Sequence, residues 1–151
     1  MMNVTLVVSG ERWVGYGLRS FSSVLEEMIS DAKWEIVFTA YMISDLKILE
    51  NLKRALSKGI SVEIFIYKPE ESGPSIVDRI SMMKRDYDNL TVHMIRDHVL
   101  HAKVIIVDQS LILLGSANPT LSGMVRNYEI GLFLRDESLA QKILELLRGI
   151  I

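Results

Sequence analysis

The sequence predicts an α/β fold in which a mixed β-sheet is covered by helices on both faces. In the first half of the chain, short β-branched and aromatic runs alternate with segments of helical periodicity, which is the pattern of βαβ units. In the second half, further apolar runs of strand length follow one another closely. The 151 residues are the usual size of one compact domain, so we expect a single domain over residues 1–151.

Short runs rich in β-branched and aromatic residues predict the strands. They are Val4–Val8, Glu35–Tyr41, Ser61–Tyr67, Thr91–Ile95, Lys103–Val107, Leu111–Leu114 and Tyr128–Leu134. Loops are predicted where Gly10, Gly15 and Gly17 follow the first strand, and over the polar segment Pro69–Pro74.

Segments in which apolar residues recur every three or four positions predict the helices. They are Phe21–Lys33, Leu46–Ser57, Ile76–Tyr87 and Ser138–Arg148. Ser22 and Ser23 are candidate N-caps of the first helix, and Lys58-Gly59 has the composition of a C-cap for the second.

Composition narrows the classes of function. The chain contains no cysteine, which excludes disulfides, zinc–thiolate sites and thiol nucleophiles. Its net charge of −2 argues mildly against a protein that coats nucleic acid passively. The opening residues lack the features of a signal peptide, and every apolar run is too short to span a bilayer. We therefore expect a cytoplasmic protein without stable membrane association.

The residues that carry chemistry begin at His101. His101 and Lys103 are separated by one residue, and on a strand this spacing puts both side chains on one face, about 7 Å apart. A neutral imidazole beside an ammonium group suits phosphate chemistry, because the imidazole can attack phosphorus while the ammonium neutralises the phosphate oxygens. Each residue alone would be interpreted as structural, so the argument rests on the set.

A hairpin brings the other residues of the set close to His101. If Val107 pairs with Leu111, Lys103 lies opposite Gly115 and His101 opposite Ala117. Ser116 and Asn118 then offer hydrogen-bond donors to a phosphate. Asp108 lies in the turn at the far end of the hairpin, where we expect its side chain to fix the loop by accepting hydrogen bonds from nearby backbone amides.

The pattern His101-x-Lys103, Asp108 and Gly115-Ser116-x-Asn118 resembles the HKD motif of the phospholipase D superfamily. The resemblance implies an α/β/α sandwich and a phosphodiesterase that uses neither a metal nor a cofactor. It implies that His101 is the nucleophile and forms a phosphohistidine, that Lys103, Ser116 and Asn118 bind the phosphate, and that Glu129 orients the imidazole. A carboxylate on one ring nitrogen leaves the other nitrogen free to attack.

Cleavage also needs an acid to protonate the leaving oxygen. Larger members of the superfamily carry two HKD motifs and this chain has one, so it resembles the short bacterial and archaeal nucleases that join two subunits. We expect a homodimer in which His101 of each subunit enters one composite site. The alternative acid is His98 of the same chain, whereas His93 is expected to be a core or edge residue.

The expected substrate is DNA or RNA, cleaved with low sequence specificity, because the motif is accompanied by no recognition element. Five basic residues are candidates for steering phosphate, although each alone is more simply a solvated surface residue: Arg12, Arg19, Lys68, Arg96 and Arg126. One alternative is a hydrolase of phospholipids or other phosphodiesters. Another is a non-catalytic nucleic-acid-binding or scaffold module.

Overall fold

The computed structural model describes residues 3–151, so the first two residues of the predicted domain lie outside the described part. Within this range the strands are β1 (Val4–Val8), β2 (Arg19–Ser20), β3 (Glu35–Ala40), β4 (Ser61–Tyr67), β5 (Leu90–Ile95), β6 (Val104–Val107), β7 (Leu111–Gly115) and β8 (Ile130–Arg135). The helices are α1 (Glu11–Val14), α2 (Phe21–Asp31), α3 (Leu46–Ser57), α4 (Pro74–Asp86) and α5 (Glu137–Arg148), with a 3₁₀ helix at Pro69–Ser72 and a π-helical turn at Ser122–Arg126.

The eight strands within residues 3–151 form one mixed sheet in the order β2-β1-β8-β7-β6-β3-β4-β5. The strands β3, β4 and β5 are parallel, as are β1 and β2, and the remaining neighbours are antiparallel. The alternation of strands and helices in the first half of the chain produces the parallel part, because each crossover helix returns the chain to the same end of the sheet. The predicted mixed sheet is confirmed.

Helices cover both faces, as predicted. Alternate residues of β3 point to opposite faces of the sheet and belong to two apolar clusters. Ile36 and Phe38 pack in the cluster under α2, α3 and α4, whereas Val37 packs in the cluster under α5. The face under α5 is covered by that single helix over residues 3–151, so its far side, at β1 and β8, stays partly open. No helix within the described residues is long and apolar enough to cross a membrane.

Several predicted boundaries are wrong. The loop predicted after β1 contains the short helix α1 and the edge strand β2, and the polar loop after β4 contains a 3₁₀ helix. The N-cap of α2 is Ser20, whose side chain accepts a hydrogen bond from the Ser23 amide, so Ser22 and Ser23 lie within the helix. Propensity could not reveal β2, because a two-residue strand forms only through its partner β1.

The hairpin β6–β7 has the predicted register. Val107 pairs with Leu111 and Val104 with Leu114, and the Gly115 amide donates to the Lys103 carbonyl oxygen at 3.3 Å. Asp108 and Gln109 occupy the turn with positive φ angles of 53° and 56°. The turn therefore holds two residues in the left-handed region, which costs free energy for residues other than glycine.

Asp108 holds this turn against a distant segment. Its carboxylate accepts hydrogen bonds from the backbone amides of Lys33 at 2.9 Å, Trp34 at 2.8 Å and Glu35 at 3.0 Å. The donors are backbone amides, as expected, but they lie in the connection between α2 and β3 and in the first residue of β3, not in the turn itself. A carboxylate gathers such donors well because each bond is assisted by its charge.

Replacing Asp108 by alanine should lower the free energy of unfolding by about 2–4 kcal/mol, since three backbone amides lose a charged acceptor. Gln109→Ala is the matched control, because Gln109 shares the turn and its backbone conformation but makes only an exposed hydrogen bond to Glu35. Chemical denaturation of both variants measures the difference. Equal stability of the two variants would contradict this role for Asp108.

Candidate active site

His101 and Lys103 meet at the edge of the sheet where β3 and β4 end. The Lys103 ammonium nitrogen Nζ lies 3.0 Å from His101 Nδ1 and 3.4 Å from Nε2, and it donates to the His101 carbonyl oxygen at 3.0 Å. A neutral imidazole has one acceptor nitrogen, so only one of the two ring contacts is a hydrogen bond. The His101 side chain is exposed and Lys103 is half-buried.

The two side chains meet for a different reason than the predicted one. Residues 101–103 are not part of a strand, because β6 begins at Val104 and its ladder with β3 ends at the pair Phe38 and Ile105. Alternation along a strand therefore does not orient them. The chain leaves the sheet at this point, and the Lys103 side chain turns back onto the His101 backbone and ring.

Thr39 of β3 replaces the missing ladder hydrogen bonds. Its hydroxyl oxygen accepts from the Val104 amide at 2.9 Å and donates to the Ala102 carbonyl oxygen at 2.7 Å. These two groups flank Lys103 in sequence, and the Thr39 side chain is only 2% exposed. A buried hydroxyl that bridges them fixes the backbone from which His101 and Lys103 project.

Ser116 and Glu129 form a second pair beside this edge. The Ser116 hydroxyl donates to Glu129 Oε1 at 2.9 Å and accepts from the Ile130 amide at 3.2 Å. Glu129 directly precedes β8, and its backbone is fixed by buried Ser9, whose amide donates to the Glu129 carbonyl oxygen at 3.1 Å. The Ser9 hydroxyl also donates to the Asn127 carbonyl oxygen at 2.6 Å.

Electrostatics link the two pairs. Burial lowers the pKa of the Lys103 ammonium from its usual range, and the negative charge of Glu129 opposes this shift. The resemblance assigns Glu129 to the imidazole, yet within residues 3–151 its carboxylate bonds to Ser116 and makes no hydrogen bond to His101. Its role as the group that orients the ring stays a prediction.

Asn118 lies below the site at the end of the Gly115–Asn118 segment. Its side-chain oxygen Oδ1 is buried and is the one such side-chain atom without a hydrogen-bond partner in the described part of the chain. Gly123 lies against the Asn118 backbone, where a Cβ atom would come within 2.3 Å of the Asn118 carbonyl oxygen. The glycine therefore lets the π-helical turn close over this segment.

Most of the chain matches a known protein family. The family model described as "Cardiolipin synthase, PLD-like domain" matches residues 25–151. The chain belongs to the phospholipase D-like family. The residues from His101 to Asn118 of this phospholipase D-like chain thus lie within the matched range.

One sequence relative and two solved structures are similar to this chain. The major cardiolipin synthase ClsA of Bacillus subtilis is 31% identical over 119 residues, which are 78% of this chain and 25% of that protein, so the chain spans about a quarter of that relative's length. Nuc of Salmonella typhimurium, a phospholipase D family member, has a TM-score of 0.80 at 23% identity and covers 99% of this chain and 94% of that chain. NucT from Helicobacter pylori has a TM-score of 0.76 at 21% identity, and the similarity covers 98% of this chain and 96% of NucT. These two similarities show the fold.

The structure brings together most, but not all, of the predicted site residues of this phospholipase D-like chain. His101 contacts Lys103, and Ser116 contacts Glu129. Asp108 lies at the opposite end of β6, where its contacts are structural. No group of three or more His, Cys, Asp or Glu side chains within residues 3–151 is arranged to hold a metal ion.

The other histidines have different surroundings. His93 lies on the edge strand β5, where its Nε2 is 2.8 Å from Glu63 Oε2, and its ring packs on Phe65. His98 is exposed and makes no hydrogen bond through its side chain within the described residues. The expectation that His93 is a core or edge residue is therefore confirmed.

Sequence interpretation missed three residues of the site: Thr39, Tyr41 and Ser9. Thr39 is a lone hydroxyl in the apolar run Glu35–Tyr41, and a polar residue in a buried strand signals that its hydroxyl needs a partner. Tyr41 packs against His101 with ring centroids 4.6 Å apart and planes at 61°. Nothing in the sequence identifies that neighbour, because 60 positions separate the two residues.

Thr39→Val should reduce kcat for the phosphodiester cleavage expected of this family by about tenfold or more, because small displacements of catalytic groups are costly. KM should change less, and Thr39→Ser, which keeps the hydroxyl, should restore kcat. Steady-state kinetics below the unfolding temperature of every variant measures this split. Val37→Ala is the control, because Val37 is buried on the same strand two residues before Thr39 but has no side-chain group that can form a hydrogen bond. Equal losses of kcat in Thr39→Val and Val37→Ala would contradict a positioning role.

Proposed function

We propose that the protein is a metal-independent phosphodiesterase, and specifically a nuclease of low sequence specificity, that uses His101 as its nucleophile. The observation that carries the proposal is the exposed His101 ring held against the Lys103 ammonium, with Ser116 and Glu129 paired at the same edge. An imidazole and a cation beside hydrogen-bond donors are suited to a phosphate that is attacked at phosphorus.

The reaction has two displacements. An imidazole nitrogen of His101 forms a bond to phosphorus, the bond from phosphorus to the leaving oxygen breaks, and an acid donates a proton to that oxygen. Water then attacks the phosphohistidine, gives its proton to the group that acted as acid, and releases His101. In this scheme the Lys103 ammonium moves from the ring to the phosphate oxygens, where Ser116 and the Asn118 amide also donate.

The acid in this scheme is His101 of a second subunit. His93, on the edge strand β5, is hydrogen-bonded to Glu63 of β4. His98 has no side-chain hydrogen bond in the described chain that would orient it. The nucleophilic ring itself is exposed, so it is accessible to a second copy of the site. Two copies related by a twofold axis then supply a nucleophile and an acid to one phosphate.

An open apolar face beside the site supports this dimer. On the face that carries α5, Leu6 of β1 is 41% exposed and lies opposite Leu132 of β8, also 41% exposed. Ile130, which is 51% exposed, continues this face to Glu129 and Ser116. Because the face adjoins a site that needs a second proton-transfer group, we assign it to a second copy of this chain.

The small cavity at the site and the exposed His101 ring favour nucleic acid over lipid as the substrate. The cavity beneath Lys103 has a volume of about 30 Å³ and is lined mainly by apolar side chains such as Phe21, Leu25 and Phe38. This cavity is far too small for an acyl chain, which would need the separate groove of about 690 Å³ lined by Val14, Met124 and Val125. The exposed His101 is directly accessible to a polymer backbone. The family description and the similarity to ClsA make phospholipid the second candidate substrate.

The test combines substrates, chelator and variants. Plasmid DNA, a single-stranded oligonucleotide, RNA, phospholipid vesicles and a chromogenic phosphodiester are each incubated with the protein, with and without excess EDTA. We expect cleavage of nucleic acid that survives EDTA, and a loss of turnover on the order of 10³-fold or more in His101→Ala and Lys103→Ala. Their unfolding temperatures should stay close to that of the wild type, because neither side chain lies in the core.

His98→Ala is the matched control and should retain most of the activity. A loss as large as that of His101→Ala would assign the acid to the same chain. Activity abolished by EDTA and restored by magnesium would contradict the mechanism. Turnover of phospholipid without cleavage of any nucleic acid would replace the proposed substrate with the second candidate.

A further inference from the structure

An aromatic row leads away from His101 along the edge of the sheet. Strands β3 and β4 are parallel, so Tyr41, which follows β3, and Tyr67, the last residue of β4, lie at the same edge. β6 runs antiparallel to β3, so His101, which precedes β6, lies at that edge too. From β6 to β4 the row crosses two interstrand spacings, about 10 Å.

The rings contact one another in sequence. The centroid of the His101 ring lies 4.6 Å from that of Tyr41, and the Tyr41 ring is stacked on Tyr67 at 5.3 Å with planes 5° apart. Both tyrosines are half-buried, and neither hydroxyl forms a hydrogen bond with another group in the described chain. Packing between the rings, and packing of Tyr67 on the apolar cluster under α5, therefore hold the row.

Lys68 completes the row in an unusual backbone conformation. Its φ of 34° and ψ of 77° lie in the left-handed region, which a residue with a side chain adopts at a cost. This conformation brings Nζ to 5.4 Å from the centroid of the Tyr67 ring. Lys68 forms no ion pair within residues 3–151, whereas nearby Arg96 is paired with Glu70.

We propose that Tyr67 and Lys68 form a base-stacking subsite for single-stranded nucleic acid, adjacent to the phosphate held at His101 and Lys103. The Lys68 ammonium moves from the ring to the next phosphate, and a base takes its place over Tyr67. This subsite rests on the proposed nuclease function and names its substrate. A single strand offers base faces and phosphates alternately, whereas a duplex conceals its base faces and a phospholipid headgroup has none.

The test compares Tyr67→Leu and Tyr67→Phe on a single-stranded oligonucleotide and on bis(p-nitrophenyl) phosphate, which carries neither a nucleobase nor a second phosphate. In Tyr67→Leu, kcat/KM for the oligonucleotide should fall about fivefold to a hundredfold more than for the small ester, as the loss of one stacked base predicts. Tyr67→Phe, which keeps the ring, should restore it. Lys68→Ala should weaken oligonucleotide binding and reduce its salt slope by about 0.7, the value for one phosphate of a single strand.

Controls lie at the opposite edge of the sheet. Tyr87 and Lys84 are near the end of α4, before β5 begins, and Tyr87→Leu and Lys84→Ala should leave both substrates unaffected. Equal losses on both substrates in Tyr67→Leu would reduce Tyr67 to a structural role and overturn the subsite. A loss confined to phospholipid vesicles, or greater for duplex than for single strand, would also overturn it.

Binding separates this subsite from the proposed nuclease function. Fluorescence anisotropy with the His101→Ala protein measures the Kd for a labelled single strand without turnover. Tyr67→Leu in that background should raise the Kd about fivefold or more, and an unchanged Kd would overturn the subsite even if nucleic acid is cleaved. If the wild type cleaves no nucleic acid while this shift in Kd is still seen, the nuclease proposal fails and the subsite stands.

Discussion

Hydrogen bonds between a side chain and the backbone of a distant segment hold β6 at both of its ends. At one end the Asp108 carboxylate accepts hydrogen bonds from the backbone amides of residues 33–35, where β3 begins, and at the other the Thr39 hydroxyl bridges Ala102 and Val104. A slip of one residue would turn each side chain of β6 to the opposite face of the sheet. The hydrogen bonds of Asp108 and Thr39 therefore determine where the chain that carries His101 and Lys103 joins the sheet, and the site depends on these hydrogen bonds.

This constraint gathers the reacting groups at one edge of the sheet. The antiparallel hairpin brings Gly115 and Ser116 back to the beginning of β6. The pair of β7 and β8 nearest to this end is at Gly115, and Glu129 lies directly beside it. The parallel strands bring Tyr41 and Tyr67 to that edge from the other side. An ammonium group, an imidazole and an aromatic row thus lie side by side, which suits a substrate that alternates phosphate with planar groups.

Sequence alone predicted the parts of this arrangement that local pattern determines. The helix Leu46–Ser57, the strand Ser61–Tyr67 and the pairing of Val107 with Leu111 follow from periodicity and from the polar turn between apolar runs. The amide partners of Asp108 and the role of Thr39 did not follow, since they depend on segments more than 60 positions away. The motif predicts which residues carry the chemistry, and tertiary contacts determine how those residues are oriented.

The central claim is that one chain carries half of a reaction centre. Wild-type and His101→Ala chains, unfolded together and refolded, should pair at random, with mixing verified by a mass tag on the mutant. Only dimers with two wild-type chains would turn over, so activity should follow the square of the wild-type fraction and fall to about a quarter at equal mixing. A linear decline with mixing confirmed, to about half at equal proportions, would mean independent sites and would contradict the account.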